Sequence, residues 1–334
     1  LQIEKPSGEI LDSPFNLIGD VQNLTRPSLN IYGDLELNLA GLKKLNPKYI
    51  ESLGKYSMRG VCPTKIYISG EMKNPEVGLK MEARQIEIAE AKIDSLSIVS
   101  KLENNKLTID KCYLILYGGE INLEGSCDLD SAQLPADLNI NIFNLELNNL
   151  IADISGKPTP VHGRFFSLGK LKAPLKDHEQ VEGKLWVSAA GSNILQLPLF
   201  EGLAEIIHLP ELRNSEFKEA SGNFAIARRA IRTEDFKIIS NSVVIHFKGY
   251  MDFTGDLGFD VQPSFSERFL QTTPRFSNIL GIFFDSTGNF LGEIKMKGNL
   301  KKPRLSYKPV SADKLFPRAL EEGLKALFKR KQED

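Results

Sequence analysis

Apolar and polar residues alternate strictly, in short runs, from one end of this chain to the other. Leu35-Glu-Leu-Asn-Leu39, Ile66-Tyr-Ile68, Val77-Gly-Leu-Lys-Met81, Ile86-Glu-Ile88 and Ile121-Asn-Leu123 each set apolar residues two apart. Leu138-Asn-Ile-Asn-Ile142, Val243-Val-Ile-His-Phe247, Leu257-Gly-Phe-Asp-Val261 and Ile294-Lys-Met296 continue the pattern. Successive side chains of a strand point to opposite faces, so this period predicts a sheet with one greasy face and one wet face. Turn signals at Asn104-Asn105, Gly118-Gly119, residues 128–131, Thr254-Gly-Asp256 and Ser286-Thr-Gly-Asn289 fall at the short intervals of an antiparallel meander. The expected fold class is mainly β: an elongated, repeating antiparallel β-groove, open like a trough, with a few short helices and an amphipathic C-terminal helix.

A reused unit is also legible. Gly70-Glu-Met-Lys-Asn-Pro75 recurs as Gly169-Lys-Leu-Lys-Ala-Pro174 and as Gly298-Asn-Leu-Lys-Lys-Pro303, each with an apolar residue soon after: Val77, Leu175, Leu305. A looser relative runs from Gly19 to Pro27 and Leu29. Glycine permits a bend and proline removes a ladder donor, so the motif reads as one strand ending and the next beginning. Repetition of this kind builds a stack of similar units rather than one closed globule.

Helical periodicity is scarce. Residues 46–53 carry Pro47 at a first-turn position, and residues 267–284 hold a further short candidate interrupted by Pro274. An insert at residues 195–209 is apolar nearly all round, which calls for burial against a greasy surface. In the tail, Phe316, Leu320, Leu324 and Leu327 recur at helical spacing and Lys329-Arg330-Lys331 complement the dipole at the end. Ser155-Gly-Lys-Pro-Thr-Pro160 marks a candidate joint, read either as a domain boundary or as a long loop within one sheet. The resulting division is a repeating strand region at 1–155, a connector at 156–180, a second β region at 181–310 containing the insert, and a tail helix at 311–334.

Several function classes lack their chemistry. With 42 Lys and Arg against 43 Asp and Glu, the chain has no cationic surplus for phosphate neutralisation, so no nucleic-acid role is expected. The four histidines (His162, His178, His208, His246) fit neither zinc nor triad spacing, and His246 alternates with Val243, Ile245 and Phe247 toward the wet face. No Gly-x-Ser-x-Gly, phosphate-cradling loop or dinucleotide fingerprint is present. Asp128 and Asp130 share a strand face but sit beside a turn, where bonds to nearby amides are the ordinary role. No enzyme activity, metal or cofactor is expected. The three cysteines make no disulfide framework. If Tyr117 paired with Glu120 around Gly118-Gly119, Cys112 would lie opposite Gly125 and only diagonal to Cys127, too far for a bridge. The apolar stretches are too short or interrupted to span a bilayer. The chain starts at Leu1 in strand-like sequence, which reads as a fragment with any targeting or membrane segment upstream.

The greasy face is then the feature to explain. A sandwich would bury it against a second sheet; an open trough would leave it for an apolar occupant, and lipid acyl chains fit. A tail of about fifteen methylenes, at roughly 0.8 kcal/mol each, is worth on the order of 10 kcal/mol of desolvation. Candidate lipid-contacting positions are Leu35, Leu37, Ile66, Ile68, Leu79, Met81, Ile121, Leu123, Leu138, Ile140 and Ile142, followed by Val243, Ile245, Phe247, Leu257, Phe259, Ile294 and Met296. The tail stripe Phe316, Leu320, Leu324 and Leu327 is expected on a membrane surface or capping the end of the trough.

Val181-Glu-Gly-Lys-Leu-Trp-Val187, the apolar insert, and Gly222-Asn-Phe-Ala-Ile-Ala-Arg-Arg-Ala-Ile-Arg-Thr-Glu-Asp-Phe236 follow one another in a telling order. Lys248-Gly-Tyr-Met-Asp-Phe-Thr-Gly-Asp-Leu257 and Gly292-Glu-Ile-Lys-Met-Lys-Gly-Asn-Leu-Lys-Lys-Pro-Arg-Leu305 complete it. This succession resembles the C-terminal region of the AsmA-like family, whose relatives include TamB and YhdP; Tyr117-Gly-Gly-Glu-Ile121 is similar to its looser repeats. Ala227-Arg-Arg-Ala230 departs from the Asp-Gly turn usual there, and a wider turn is expected. The resemblance implies a stacked β-groove in the periplasm of a diderm bacterium, anchored to the inner membrane by an upstream segment. It also implies a part in moving phospholipid toward the outer membrane, with inner- or outer-membrane proteins as possible partners, and no catalytic residues. The alternative is a periplasmic scaffold that assists outer-membrane protein assembly through exposed strand edges.

Overall fold

The computed structural model describes residues 2–3, 6–23, 25–44, 57–89, 91–158, 161–192, 217–241, 243–265, 290–300 and 302–309. The expected helices at 46–53 and 267–284, the insert at 195–209, the turn at 286–289 and the tail stripe Phe316, Leu320, Leu324, Leu327 lie outside these residues. The described chain is mainly β, as the alternation predicts, and each of its two compact units is built on an open antiparallel sheet. The first unit comprises Leu1–Asn193 with Ser221–Ile231, the second Ile194–Ala220 with Arg232–Asp334.

The first unit contains β1 (Gln2–Ile3), β2 (Ser7–Ile10), β3 (Ser13–Gln22), β4 (Ser28–Asn38), β5 (Met58–Arg59), β6 (Val61–Glu71) and β7 (Glu76–Ile88). It continues with β8 (Ala91–Glu103), β9 (Lys106–Leu116), β10 (Gly119–Asp128), β11 (Pro135–Glu146), helix α1 (Leu147–Ser155), β12 (His162–Pro174) and β13 (Glu182–Ser192). From β3 to β13 each long strand pairs antiparallel with the next; short β1 and β2 pair with β3, and β5 fills in beside β7. At about 4.8 Å per strand this meander extends on the order of 40 Å. Residues 156–180, marked by sequence as a connector, contain β12, which pairs in full with β11 and β13. The unit boundary falls within β14 (Phe217–Ala227) and β15 (Ala230–Ser240). The second unit continues with β16 (Val243–Asp252), β17 (Asp256–Phe265), β18 (Gly292–Asn299) and β19 (Lys302–Pro309), again paired in chain order.

The apolar period slips by one residue in several strands, and in β7, β9 and β11 the backbone shows how the slip is absorbed. In β7 the apolar set passes from Val77, Leu79, Met81 and Ala83 to Ile86 and Ile88, with Gln85 between them in the left-handed region (φ 52°). In β9 it passes from Leu107 and Ile109 to Cys112 and Leu114 across a register shift, and in β11 from Ile142 to Leu145 across another, with Asn144 at φ 57°. In β9 and β11 a bulge adds one residue to one strand and keeps its apolar side chains on the same face, whereas in β7 Gln85 and Asp94 of β8 are skipped together and the two strands slip in step. Without these adjustments, every side chain beyond the slip would turn to the wrong side.

Tight turns carry the remaining geometry. Asn104-Asn105, Tyr117-Gly118 and Arg228-Arg229 are two-residue connections with both central residues at positive φ, the turn that matches strand twist. The Ala227–Ala230 turn is therefore tight, not the wider one expected. Arginine has no side-chain preference for this backbone, whereas asparagine tolerates it. Replacing Arg228 (φ 52°) with Asn is expected to raise stability by about 1 kcal/mol, read as a higher urea midpoint. Arg229 is left in place because it reaches Glu179 at 3.0 Å.

The turn in the β9–β10 hairpin also corrects the expected register. Leu116 pairs with Gly119 around Tyr117-Gly118, so Cys112 lies opposite Leu123 and Cys127 opposite Leu107. Gly119 is needed in the strand itself, since a Cβ there would come within 2.5 Å of the Leu145 backbone. Only two copies of the Gly-x-(Leu/Met)-Lys-x-Pro motif span a bend. Gly70 (φ 91°) and Gly298 (φ 103°) lie one residue before the ends of their strands, whereas 169–174 lies wholly within β12, where Lys170 and Lys172 face Asn139 and Asp137 in the ladder. Helix α1 was not expected. Leu147, Leu150 and Ile151 recur at helical spacing, and Gly156 closes the helix in the left-handed conformation (φ 66°). The Tyr117 hydroxyl donates to Asp153 at 2.5 Å, which ties the helix to the β9–β10 turn.

Candidate functional site: the apolar face of the sheet

Registers decide which side chains share a face. Leu35 pairs with Thr64, Leu37 with Cys62, Ile31 with Ile68, and Gly33 with Ile66. Across the next strands Ile66 pairs with Leu79, Thr64 with Met81, and Met81 with Ile98. Ile98 pairs with Cys112, Cys112 with Leu123, and Leu123 with Ile140. Ile121 pairs with Ile142, and Gly125 with Leu138. Directly opposed residues of an antiparallel pair project to the same side. The structure thus gathers Leu35, Leu37, Ile66, Ile68, Leu79, Met81, Ile121, Leu123, Leu138, Ile140 and Ile142 on one continuous face of the first unit.

All of these side chains are half-buried. Burial is complete only locally. Leu39 and Met58 fold against Cys62, Ala83, Ile86, Ile93, Leu96 and Cys112, and a smaller cluster joins Cys127, Leu134 and Ala136. Where the face carries glycine, the next strand leans over the gap: a Cβ on Gly169 would meet Leu185 Cδ2 at 2.3 Å. The opposite face holds Asn30, Asp34, Lys65, Asn122, Asn139 and Asn141, which follow the same registers.

Along one edge of this face, successive turns are bonded to one another. Met72 N donates to Pro27 O (2.8 Å), Asn74 Nδ2 to Asn104 Oδ1 (2.6 Å), Asn105 Nδ2 to Asp130 Oδ1 (2.7 Å) and Leu175 N to Leu134 O (3.0 Å). These bonds fix the strand ends relative to each other, so the floor between them is a preformed surface.

The second unit presents the same alternation in a different state. Val243, Ile245, Phe247, Leu257, Ile294 and Met296 also share one face, but they are between 1 and 6% exposed. Phe259 is half-buried and meets Phe247 edge-on at 6.4 Å. This face is packed core. Its opposite side is a ladder of alternating charge, with Lys248 at 2.5 Å from Glu234 and Lys295 at 3.2 Å from Asp260. His246 is exposed and pairs with Gln262 on that charged side, as its alternation predicts.

Titratable groups on the apolar face are inert. Cys62, Cys112 and Cys127 are free and buried, and burial pushes all three thiols up, away from the reactive thiolate. The Thr64 hydroxyl is satisfied by Cys62 O at 2.8 Å. Among the described residues no three His, Cys, Asp or Glu side chains converge on a metal-sized site, and no helix is long and apolar enough to cross a membrane.

Sequence periodicity overlooked part of the face. Leu171 pairs with Leu138, Val187 with Ser167, and Leu185 with Gly169, extending the apolar surface through β12 and β13. The alternation is hard to see there because Phe166, Leu168 and Trp186 place apolar residues on the other side of the same strands. No protein-family model, curated protein or solved structure matches the chain.

Proposed function

We propose that the apolar face of the first unit carries phospholipid acyl chains and that the protein is a bridge-like, non-enzymatic lipid-transfer segment. It shields lipid tails from water between the inner and outer membranes of a diderm bacterial envelope, works in the periplasm at the inner membrane, and contributes to outer-membrane homeostasis. The supporting observation is the single in-register apolar face from β4 to β12, half-buried along most of its length, with Leu37, Met81, Leu123 and Leu138 packed against its two buried clusters. Apolar area left in contact with water is costly at about 25 cal/mol per Å², and a contiguous stretch of it marks a surface that receives an apolar partner. An acyl chain needs desolvation and a smooth floor, and an in-register apolar face supports both.

The scaffold alternative requires an edge strand that accepts another chain. Among the described residues β19 pairs only with β18, yet Lys302, Pro303, Arg304, Lys308 and Pro309 give it the charges and missing donors that discourage augmentation. Purification without detergent, followed by lipid extraction and mass spectrometry, tests the proposal. Phospholipid in stoichiometric amount is the expected result. An empty, stable protein that captures unfolded outer-membrane barrel strands instead assigns the scaffold role.

A further inference from the structure

The outer, polar side of the first unit carries one patch that breaks the rules of a solvated sheet face. Leu168 and Trp186 oppose each other directly across β12 and β13 and are 43% and 39% exposed. Phe143, also on this side, is 41% exposed. One step along the same two strands, Lys170 opposes Lys184, both exposed and neither ion-paired with a described residue. Directly opposed like charges destabilise a sheet, and an exposed aromatic–aliphatic pair gains little in water. Two such costs side by side, in the same two strands of a face that elsewhere carries Asn, Ser, paired charges and a few scattered apolar side chains, indicate selection for a ligand.

We propose that this patch docks the first unit onto an anionic membrane surface. Indole sits at the headgroup level of a bilayer with its ring in the apolar zone and its N–H toward water, while lysines beside it meet phosphates. On the β11 side the neighbouring row does not cancel the charge. Lys172 is held by Asp137 at 3.2 Å and faces Glu182, and the next carboxylate, Glu124, lies two strands from Lys170 across Asn139. A second exposed pair on the same side, Tyr32 and Tyr67 with ring centroids 4.8 Å apart, is flanked by Lys65 between Asp34 and Lys80, and Lys80 is itself paired with Glu82 at 2.9 Å, so the charges there balance. The basic character is what distinguishes the Trp186 patch, and a flat basic–aromatic surface suits a bilayer plane.

Trp186 is the sole tryptophan of the chain, so its fluorescence reports on this face alone. Phosphatidylglycerol-containing vesicles at low salt are expected to shift its emission to shorter wavelength, and pure phosphatidylcholine vesicles to leave it unchanged. Neutralising both cations in K170Q/K184Q is expected to weaken partitioning roughly thirtyfold, since each lysine near an anionic surface contributes about fivefold. Circular dichroism of the variant should match the parent, because both positions are exposed. An absent shift overturns the inference, as does an equal shift on phosphatidylcholine or one that K170Q/K184Q retains. A shift produced by soluble polyglutamate but not by vesicles also overturns it, in favour of an acidic protein partner. Loss of copurifying lipid would leave this result standing, because acyl chains on the apolar face lie on the other side of the sheet.

Discussion

A photoreactive side chain at position 140 is expected to capture phospholipid in cells, and the same probe at position 139 is expected to capture none. Ile140 lies in the apolar face between Leu123 on one side and Gly169 on the other, while Asn139 faces Glu124 and Lys170 on the polar side. Ile140→Glu places a carboxylate in the path of acyl chains, where it costs several kcal/mol of desolvation or takes up a proton. Lipid occupancy should fall by at least about tenfold, equivalent to 1.4 kcal/mol. Asn139→Glu, an exposed change, should leave it unaltered. The protein should remain folded in both variants because Ile140 is only half-buried and the backbone ladder is untouched. If Ile140→Glu unfolds the chain and neither probe captures lipid, the face is a closed core and the conduit reading fails.

The matched substitution in the second unit is expected to behave in the opposite way. Ile245 is 1% exposed, in register with Pro263 and on the same face as Val243, Phe247, Val261 and Ile294. Ile245→Glu buries an unpaired charge, and a loss on the order of 4 kcal/mol is expected, a large share of a domain's stability. Ile245→Val removes one methylene and should cost about 1 kcal/mol. Hydrogen exchange through β16–β18 is the direct readout, with protection lost in the Glu variant and kept in the Val variant. Wild-type protection in Ile245→Glu would show that this face, too, opens to water. Together the two glutamates separate an alternation that serves binding from one that serves packing.

That separation is the part the sequence did not contain. Leu138-Asn-Ile-Asn-Ile142 and Val243-Val-Ile-His-Phe247 read alike, since period two reports only that one side of a strand avoids water. Whether another layer covers that side depends on segments distant in the chain, and the outcome is half-burial at Ile140 but full burial at Ile245. The Trp186 patch was hidden for a related reason. Apolar residues on both sides of β12 and β13 blur the alternation, and only the registers show that Leu168 and Trp186 share the polar side while Leu171 and Leu185 do not.

The alternation and the turn residues alone determined the mainly β, antiparallel character of the fold and most of the membership of its apolar face. They suffice because strand parity and two-residue turns are local properties, written within a few residues of each other. Helix α1 was local too, but the expectation of continuous strands up to residue 155 obscured the Leu147, Leu150, Ile151 spacing and the closing Gly156. Tertiary structure decided the rest. It set Tyr117-Gly118 as the turn because Gly119 must approach Leu145, and it used left-handed Gln85 and Asn144 to bring slipped apolar residues back to one face. Each of these depends on what a neighbouring strand places within a few ångströms. That information resides in pairings between distant segments and not in any one of them.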